Sequence, residues 1–267
     1  MQINNILINS AKDLVPYRQK IADLFLSCFK KPLMNSIWDW AYQENPSGKP
    51  IVTLGFDEDR LVGHYAAISF PLRAGNSCYK SFLSMTTMVE FSYRKYHLFY
   101  KLATLAFDEI KRQGGDFVFG FPNFQSLPGF RHRLGWQIYP KDYVACLSSK
   151  ELEKGNYFLK EKREGVIEFD VSNKEFLAWR LSKPGVTYVR EGELIFKDFQ
   201  NSYDVVRMGD EQPAALLQGK KFNLLLDGAL ENFKEFKVFD YPFGWRWFQP
   251  PPENVHLKKE LLLSDVF

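Results

Sequence analysis

Cysteine is scarce in this chain: the 267 residues hold three, Cys28, Cys78 and Cys146, at wide and unpatterned spacings. An odd number so placed indicates neither a disulfide framework nor a zinc site. Long apolar runs are missing too. The longest uncharged apolar stretch, Leu61 to Leu72, is broken by His64 and Pro71, short of the ~20 apolar residues that a spanning helix needs. The first thirty residues mix Asp13 and Asp23 with scattered Lys and Arg, without the basic-then-apolar layout of a secretion signal. Neither sign of charge dominates: 35 basic and 32 acidic residues give +3, whereas nucleic-acid-binding domains concentrate far more positive charge. Walker loops, Cys-x-x-Cys, His-x-x-x-His and Gly-x-Ser-x-Gly are all lacking, so neither metal hydrolysis nor serine catalysis has support. The expectation is a soluble cytoplasmic protein acting on small molecules, with no metal, nucleic acid or membrane as partner.

Aromatics, by contrast, are abundant: 25 Phe, 13 Tyr and 6 Trp. Most suit a core, although exposed rings also stack flat ligands such as bases. The length suggests one or two domains. Leu14 to Phe29 reads as an amphipathic helix with Ile21, Leu24, Phe25, Cys28 and Phe29 at helical spacing. Trp38, Trp40 and Tyr42 follow, closed by the turn Asn45-Pro46-Ser47-Gly48. Ile51 to Phe56 and Leu61 to Phe70 form a hairpin across a polar tetrad, and Phe82 to Phe91 is a further strand. From Leu98 a helix begins with Phe99, Leu102, Ala103, Ala106 and Ile110 on one face, stopped by Gly114-Gly115. Phe117 to Phe121 is a short strand and Ser126 to Arg133 a short helix. This order predicts an α/β fold with a mixed sheet flanked by helices.

The second half echoes the first. After the charged stretch Glu151 to Glu164 comes a Trp-bearing segment ending in Pro, a hairpin (Val186 to Val189, Leu194 to Lys197), Tyr203 to Met208 and a late strand from Val238 to Phe243. Trp40 pairs with Trp179, Pro46 with Pro184, and Phe121-Pro122 with Tyr241-Pro242. We read a weak internal duplication, with one domain over residues 1–148 and a second half over 149–267. Phe243-Gly244-Trp245-Arg246-Trp247-Phe248 has two readings. Trp245, Arg246 and Trp247 offer stacking and a cation to a nucleotide; alternatively, the run is a strand plugging the interface between the halves.

Thr86 to Phe99 is the chemistry-bearing stretch. A strand passing directly into a turn and helix presents unpaired backbone N–H groups, which bind phosphate. Arg94, Lys95 and His97 add positive charge there. The run from Val89 to Phe99 resembles the central motif of the GNAT superfamily of acyl-CoA N-acyltransferases, a strand leading into Arg/Gln-x-x-Gly-x-Gly/Ala and a long helix. The similarity spans roughly residues 15–145, through Trp38 to Pro46, the Leu61-Val62-Gly63-His64 hairpin and Phe121-Pro122-Asn123…Leu134-Gly135-Trp136. It implies a GNAT fold, with a second, degenerate GNAT-like half, and acyl-CoA as co-substrate. Backbone groups of Met88 and Val89 would bond the pantetheine arm, and the amides of Arg94, Lys95, Tyr96, His97, Leu98 and Phe99 would hold the pyrophosphate. The strands ending near Val89 and Asn123 would part to admit the thioester. His97 and Phe99 stand where the family has glycine-type residues, and Arg131 replaces the tyrosine that often serves as general acid.

Amide formation needs a proton acceptor and oxyanion donors, and orientation supplies much of the rate. Glu90, His64 and His132 are the candidate bases, each also readable as structural or solvated; Asn123 is a candidate positioning residue. The layout also resembles bacterial sugar N-acyltransferases of surface-polysaccharide (O-antigen, lipopolysaccharide) pathways, which act on dTDP-linked amino-deoxy sugars with acetyl or hydroxybutanoyl groups. On that resemblance Trp40, Tyr42, Trp245, Arg246 and Trp247 would contact the acceptor. An aminoacyl-tRNA-dependent transferase with tandem GNAT halves and a non-catalytic coenzyme A-binding module are the alternatives. Oligomeric state is left open.

Overall fold

A computed structural model describes residues 3–154, 165–209 and 219–264. The first half contains β1 (Asn4–Ile8), α1 (Ala11–Leu14), α2 (Arg18–Phe29), α3 (Asn35–Trp38), β2 (Ile51–Asp57), β3 (Arg60–Ser69), β4 (Leu72–Ala74), β5 (Ser77–Tyr79), β6 (Ser81–Val89), α4 (Leu98–Arg112), β7 (Phe117–Gly120), β8 (Gln137–Tyr139) and β9 (Tyr143–Leu147). The second contains α5 (Ser149–Lys154), β10 (Val166–Phe169), α6 (Lys174–Leu181), β11 (Tyr188–Glu191), β12 (Leu194–Phe199), β13 (Ser202–Arg207), β14 (Lys221–Leu226), β15 (Lys237–Asp240), β16 (Phe243–Trp247) and β17 (His256–Leu257). Most of the charged stretch 151–164 lies outside the described residues. Among those described, no helix is long and apolar enough to cross a membrane.

Two large sheets carry the fold, ordered β1-β2-β3-β6-β7-β16-β8 and β11-β12-β13-β14-β9-β15. Both are mixed in the same way. Their central pairs, β6 with β7 and β13 with β14, are parallel, and the strand pairs on either side are antiparallel. The halves are interlocked by exchange. β16, late in the chain, inserts between β7 and β8, while β9, from the first half, inserts between β14 and β15. A third, small sheet, β17-β10-β4-β5, spans the joint. The late strand expected over Val238 to Phe243 is therefore two strands, because the chain turns at Tyr241-Pro242 and crosses to the other sheet.

The aromatic pairs seen in the sequence meet at this joint. Trp40 and Trp179 stack with centroids 4.7 Å apart and planes 9° from parallel. Each indole N–H donates to the other's carbonyl at 2.8 Å, a reciprocity that a local two-fold relation produces. Phe121 stacks on Tyr241 at 5.0 Å.

α4 lies on one face of the first sheet. Leu98, Leu102, Ala103, Ala106, Phe107 and Ile110 are buried beneath it, each large side chain contributing about 1.5–3 kcal/mol. Close approach requires glycine at residue 63, where a Cβ would sit 2.6 Å from a Leu98 methyl and 2.9 Å from a Leu102 methyl. Thr53 locks the register by donating to the Leu102 carbonyl at 2.9 Å. On the opposite face α2, the Trp38–Tyr42 segment and α6 share one core with the sheet.

Candidate active site

The site begins where β6 and β7 part. They pair in register only at Ser81–Phe117, Phe82–Val118 and Leu83–Phe119. Past that point, the edge of β6 through Val89 faces a gap rather than a strand. β6 is also kinked: its register against β3 slips between His64–Met88 and Ala66–Met85, and Thr86 takes φ +50°. Positive φ is an outlier for a β-branched residue, a strain of order 1–3 kcal/mol that surrounding contacts must hold in place.

His64 supplies one such contact. Its Nδ1 lies 2.7 Å from the Thr86 carbonyl oxygen. Burial pushes the imidazole down to about 4, only partly offset by the bond to Thr86. The ring is therefore uncharged at neutral pH, and because a carbonyl only accepts, Nδ1 carries the proton. Nε2 is left with a lone pair, buried and unpartnered. The Tyr42 and Thr86 hydroxyls are buried beside it; burial raises the Tyr42 phenol above its ordinary range, offset in part by a hydrogen bond with Thr86. His64 Nε2 thus keeps hydrogen-bonding capacity unused at the kink, which costs folding free energy.

Beyond Val89 the chain makes a tight turn from Phe91 to Tyr96. His97 takes the left-handed conformation at φ +57°, and α4 begins with no side chain capping its start. The first-turn amides of a 15-residue helix are left for another acceptor. Exposed Arg94 and Lys95 flank them, Arg94 over the Phe91 ring at 5.4 Å and Lys95 over Tyr96 at 5.1 Å. His97 accepts a hydrogen bond from Arg133 at 2.7 Å through Nδ1. Phe99 turns away from the turn and packs on Phe130 at 5.1 Å. This clears the helix start of the bulk expected where the family pattern has a small residue. A strand edge of free peptide groups leading to an uncapped, basic helix start fits a long amide-bearing arm ending in a diphosphate.

Residues 17–139 match the family model described as an acetyltransferase (GNAT) domain. Over this stretch, a little under half of the chain, the sequence is similar to a GNAT acetyltransferase domain. Over nine tenths of the chain, the fold is similar to three solved structures. The GCN5-related N-acetyltransferase from Kribbella flavida shares 12% identity at TM-score 0.61, covering 91% of this chain and 72% of that one. A probable N-acyltransferase from Enterococcus faecalis V583 shares 10% at 0.63, covering 92% and 73%. Eis1 from Mycobacterium abscessus shares 11% at 0.56, also covering 92% and 73%. At such identities the likeness is one of fold, and it extends through the second, GNAT-like half. No curated protein matches the sequence.

GNAT domains use acyl-CoA; Met88 and Val89 lie at the end of β6, beyond its pairing with β7, in register with His64 and Gly63 of β3, and the Val89 carbonyl accepts from Arg94 at 3.4 Å. The amides from Arg94 to Phe99 fall within the turn and first helical residues. The other expected residues scatter. Glu90, just past β6, is ion-paired with Arg60 and closes one end of a groove of about 320 Å³ that also includes Lys20, Asp23, Leu24, Ser27, Asp59 and Leu61. His132 is exposed on the 129–133 turn whose Arg133 reaches His97. Asn123 is exposed three residues past β7. Its side-chain oxygen accepts from the Ser126 amide at 2.9 Å, so it caps a turn rather than facing the gap. His64 is a mid-strand residue of the β2–β3 hairpin, bonded to backbone as its structural reading held, with no exposed surface from which to exchange a proton with solvent.

The aromatic acceptor contacts need correction. Trp40 is sealed against Trp179. Trp245 is 3% exposed and donates to Gln137 at 3.0 Å. Arg246 donates to the Leu134 carbonyl at 2.7 Å and lies over Phe107. Trp247 packs on Phe117 at 4.4 Å. The run is the exchanged strand β16, so it plugs the joint, as its second reading held, and offers no open stacking platform. Tyr42 is 2% exposed and belongs to the kink. Thr86 is the site residue that sequence reasoning passed over. Its one signal is the Thr86-Thr87 pair between Met85 and Met88 in the strand.

Proposed function

We propose that the protein transfers an acyl group from acyl-CoA to the amino group of a nucleotide-linked amino-deoxy sugar, in the cytoplasmic assembly of a surface polysaccharide. The gap between β6 and β7, leading to the uncapped start of α4, carries the donor half of this reading. The thioester supplies an acyl carbon open to attack by a neutral amine. The chain's part is to hold and orient: β6 peptide groups at Met88 and Val89 fix the arm, and the Arg94–Phe99 turn fixes the diphosphate. N–H groups on the same edge stabilise the oxyanion where it develops, an effect whose loss typically costs 10²–10³-fold in turnover. Glu90 accepts the amine proton, standing beside the end of β6 at the groove.

Support for the acceptor is the groove's mixed charge. Asp23, Asp59 and Glu90 suit an ammonium group before deprotonation, while Lys20 and Arg60 suit a diphosphate. In this reading residues 1–148 bind the donor and residues 149–267 buttress the acceptor side through the joint. The test is thiol release and product mass with acetyl-CoA or 3-hydroxybutanoyl-CoA against a panel of dTDP-amino sugars. Release with a nucleotide amino sugar, abolished in Glu90→Gln, is expected. Release with other amines alone overturns the acceptor, and no coenzyme A binding at micromolar levels overturns the donor site.

A further inference from the structure

Charge is sorted around the helix start in a way the balanced composition does not require. Residues 24–38, 91–107 and 117–140 contain Lys30, Lys31, Arg94, Lys95, Lys101, Arg131 and Arg133 and not one Asp or Glu. These three segments form the end of α2, the turn into α4, and β7 with the turn after it. They converge. Cys28 feels the charges of Arg94, Glu90 and Lys30, and Arg133 bonds His97. The carboxylates nearest the turn are already engaged: Glu90 with Arg60, and Asp57 with the Tyr93 hydroxyl at 2.6 Å.

Exposed apolar side chains stand on the same three segments. Phe91 is 82% exposed, Phe124 62% and Leu26 50%, with Phe29 and Tyr96 also exposed. A diphosphate needs two or three cations and no exposed phenyl rings. A wide basic rim studded with apolar side chains instead matches a protein surface that is acidic with an apolar centre. Because the gap within the rim fits a pantetheine arm, the occupant must present such an arm.

We propose that this rim docks a small acidic carrier protein that delivers its acyl group on a phosphopantetheine arm threaded between β6 and β7. The inference rests on the donor-site reading above and changes the source of the thioester. The chemistry balances as before: the acceptor nitrogen forms the C–N bond, the C–S bond breaks, and the carrier leaves as thiolate, which takes up the proton that the protein removed from the amine and ends as free thiol. Association is steered by charge and weakens as salt screens it.

Calorimetry with a purified acyl carrier protein, in apo and phosphopantetheinylated forms, and with coenzyme A tests this without knowledge of the acceptor. The arm-bearing carrier is expected to bind at least tenfold tighter than the apo form at low salt, and to lose affinity on raising salt to ~0.5 M. The Lys30→Glu/Lys31→Glu variant, and separately Phe124→Ser, should weaken carrier binding at least tenfold while changing coenzyme A affinity less than twofold. Unchanged melting temperatures verify that both variants fold. Coenzyme A binding without carrier binding overturns the docking surface and leaves the donor site intact. Equal weakening of both ligands also overturns it, assigning the rim to coenzyme A phosphates. Binding of neither removes the donor site and the docking surface together.

Discussion

The two halves share a strand order, yet one cleft is open and the other is filled. In the first, β6 leaves β7 after Leu83 and its edge faces the gap. In the second, β13 pairs with β14 only from Ser202 to Asp204, and the chain's own C-terminal segment occupies the space beyond. Leu261–Leu263 packs against β13, with Leu262 and Leu263 fully buried. Glu260 accepts from the Met208 amide at 3.2 Å and from Arg207 at 2.9 Å. A carboxylate from within the chain satisfies the backbone just past β13, where the first half leaves α4 uncapped. The fold thus forms a short parallel strand pair twice, and the chain finishes the two differently.

Removing the joint between the halves should have the largest effect. Trp40→Ala deletes a buried ring, a bond from its indole and the partner for Trp179. A loss of about 4 kcal/mol is expected, read from denaturant unfolding. Trp40→Ala/Trp179→Ala should cost less than the sum of the single changes, because the stack disappears with the first, while the indole bond of the remaining Trp to a main-chain carbonyl goes only with the second. Additive losses would mean that the rings serve separate cores.

The contrast between clefts sharpens at their carboxylates. Glu260→Ala leaves Arg207, 3% exposed, without its closest partner, and about 3–4 kcal/mol should be lost with donor affinity intact. Glu90→Ala breaks an ion pair whose Arg60 is 64% exposed. Stability should change by less than about 1 kcal/mol, while turnover falls at least tenfold. Reversed outcomes would exchange the roles of the two clefts.

His64 gives the open cleft a pH signature. Its folded value of about 4 lies below the ordinary 6.5, so between those limits the unfolded chain binds more protons. Stability is full above pH 6.5 and falls as pH drops toward 4, by about 3 kcal/mol in all. Denaturant midpoints across this range should slope in the wild type and flatten in His64→Gln. An equal slope in the variant would assign the pH sensitivity elsewhere.

How far the sequence disclosed this can be traced through particular elements. α4 was legible because its burial follows one helical period, and the β2–β3 hairpin because β-forming runs flank a polar turn. Trp40–Trp179 and Phe121–Tyr241 were legible as echoes, although nothing local says that the echoing residues touch. β16 was misread as a possible ligand platform because a strand's alternation is the same whichever sheet receives it. Thr86 was missed because local propensity opposes a positive φ for threonine; only the bond from His64 and the packing around the kink impose it. Asn123 misled because its place in the order of motifs does not reveal that its side chain caps a turn.

The smallest predicted effect isolates the helix start. His97 and Gln200 both hold left-handed backbone, at φ +57° and +52°, one at the open cleft and the other in the exposed turn between β12 and β13. Glycine adopts this region without the Cβ penalty but raises the entropy of the unfolded chain, so each replacement should gain only about 0.5–1 kcal/mol. The functional consequences should differ. Gln200→Gly lies far in sequence from the donor turn and should leave coenzyme A affinity unchanged. His97→Gly releases Arg133 from its bond and lets the backbone approach a diphosphate more closely, so affinity should rise by about threefold, read by calorimetry. Equal responses at the two positions would mean that residue 97 sets only the geometry of a turn, and that the diphosphate is held elsewhere.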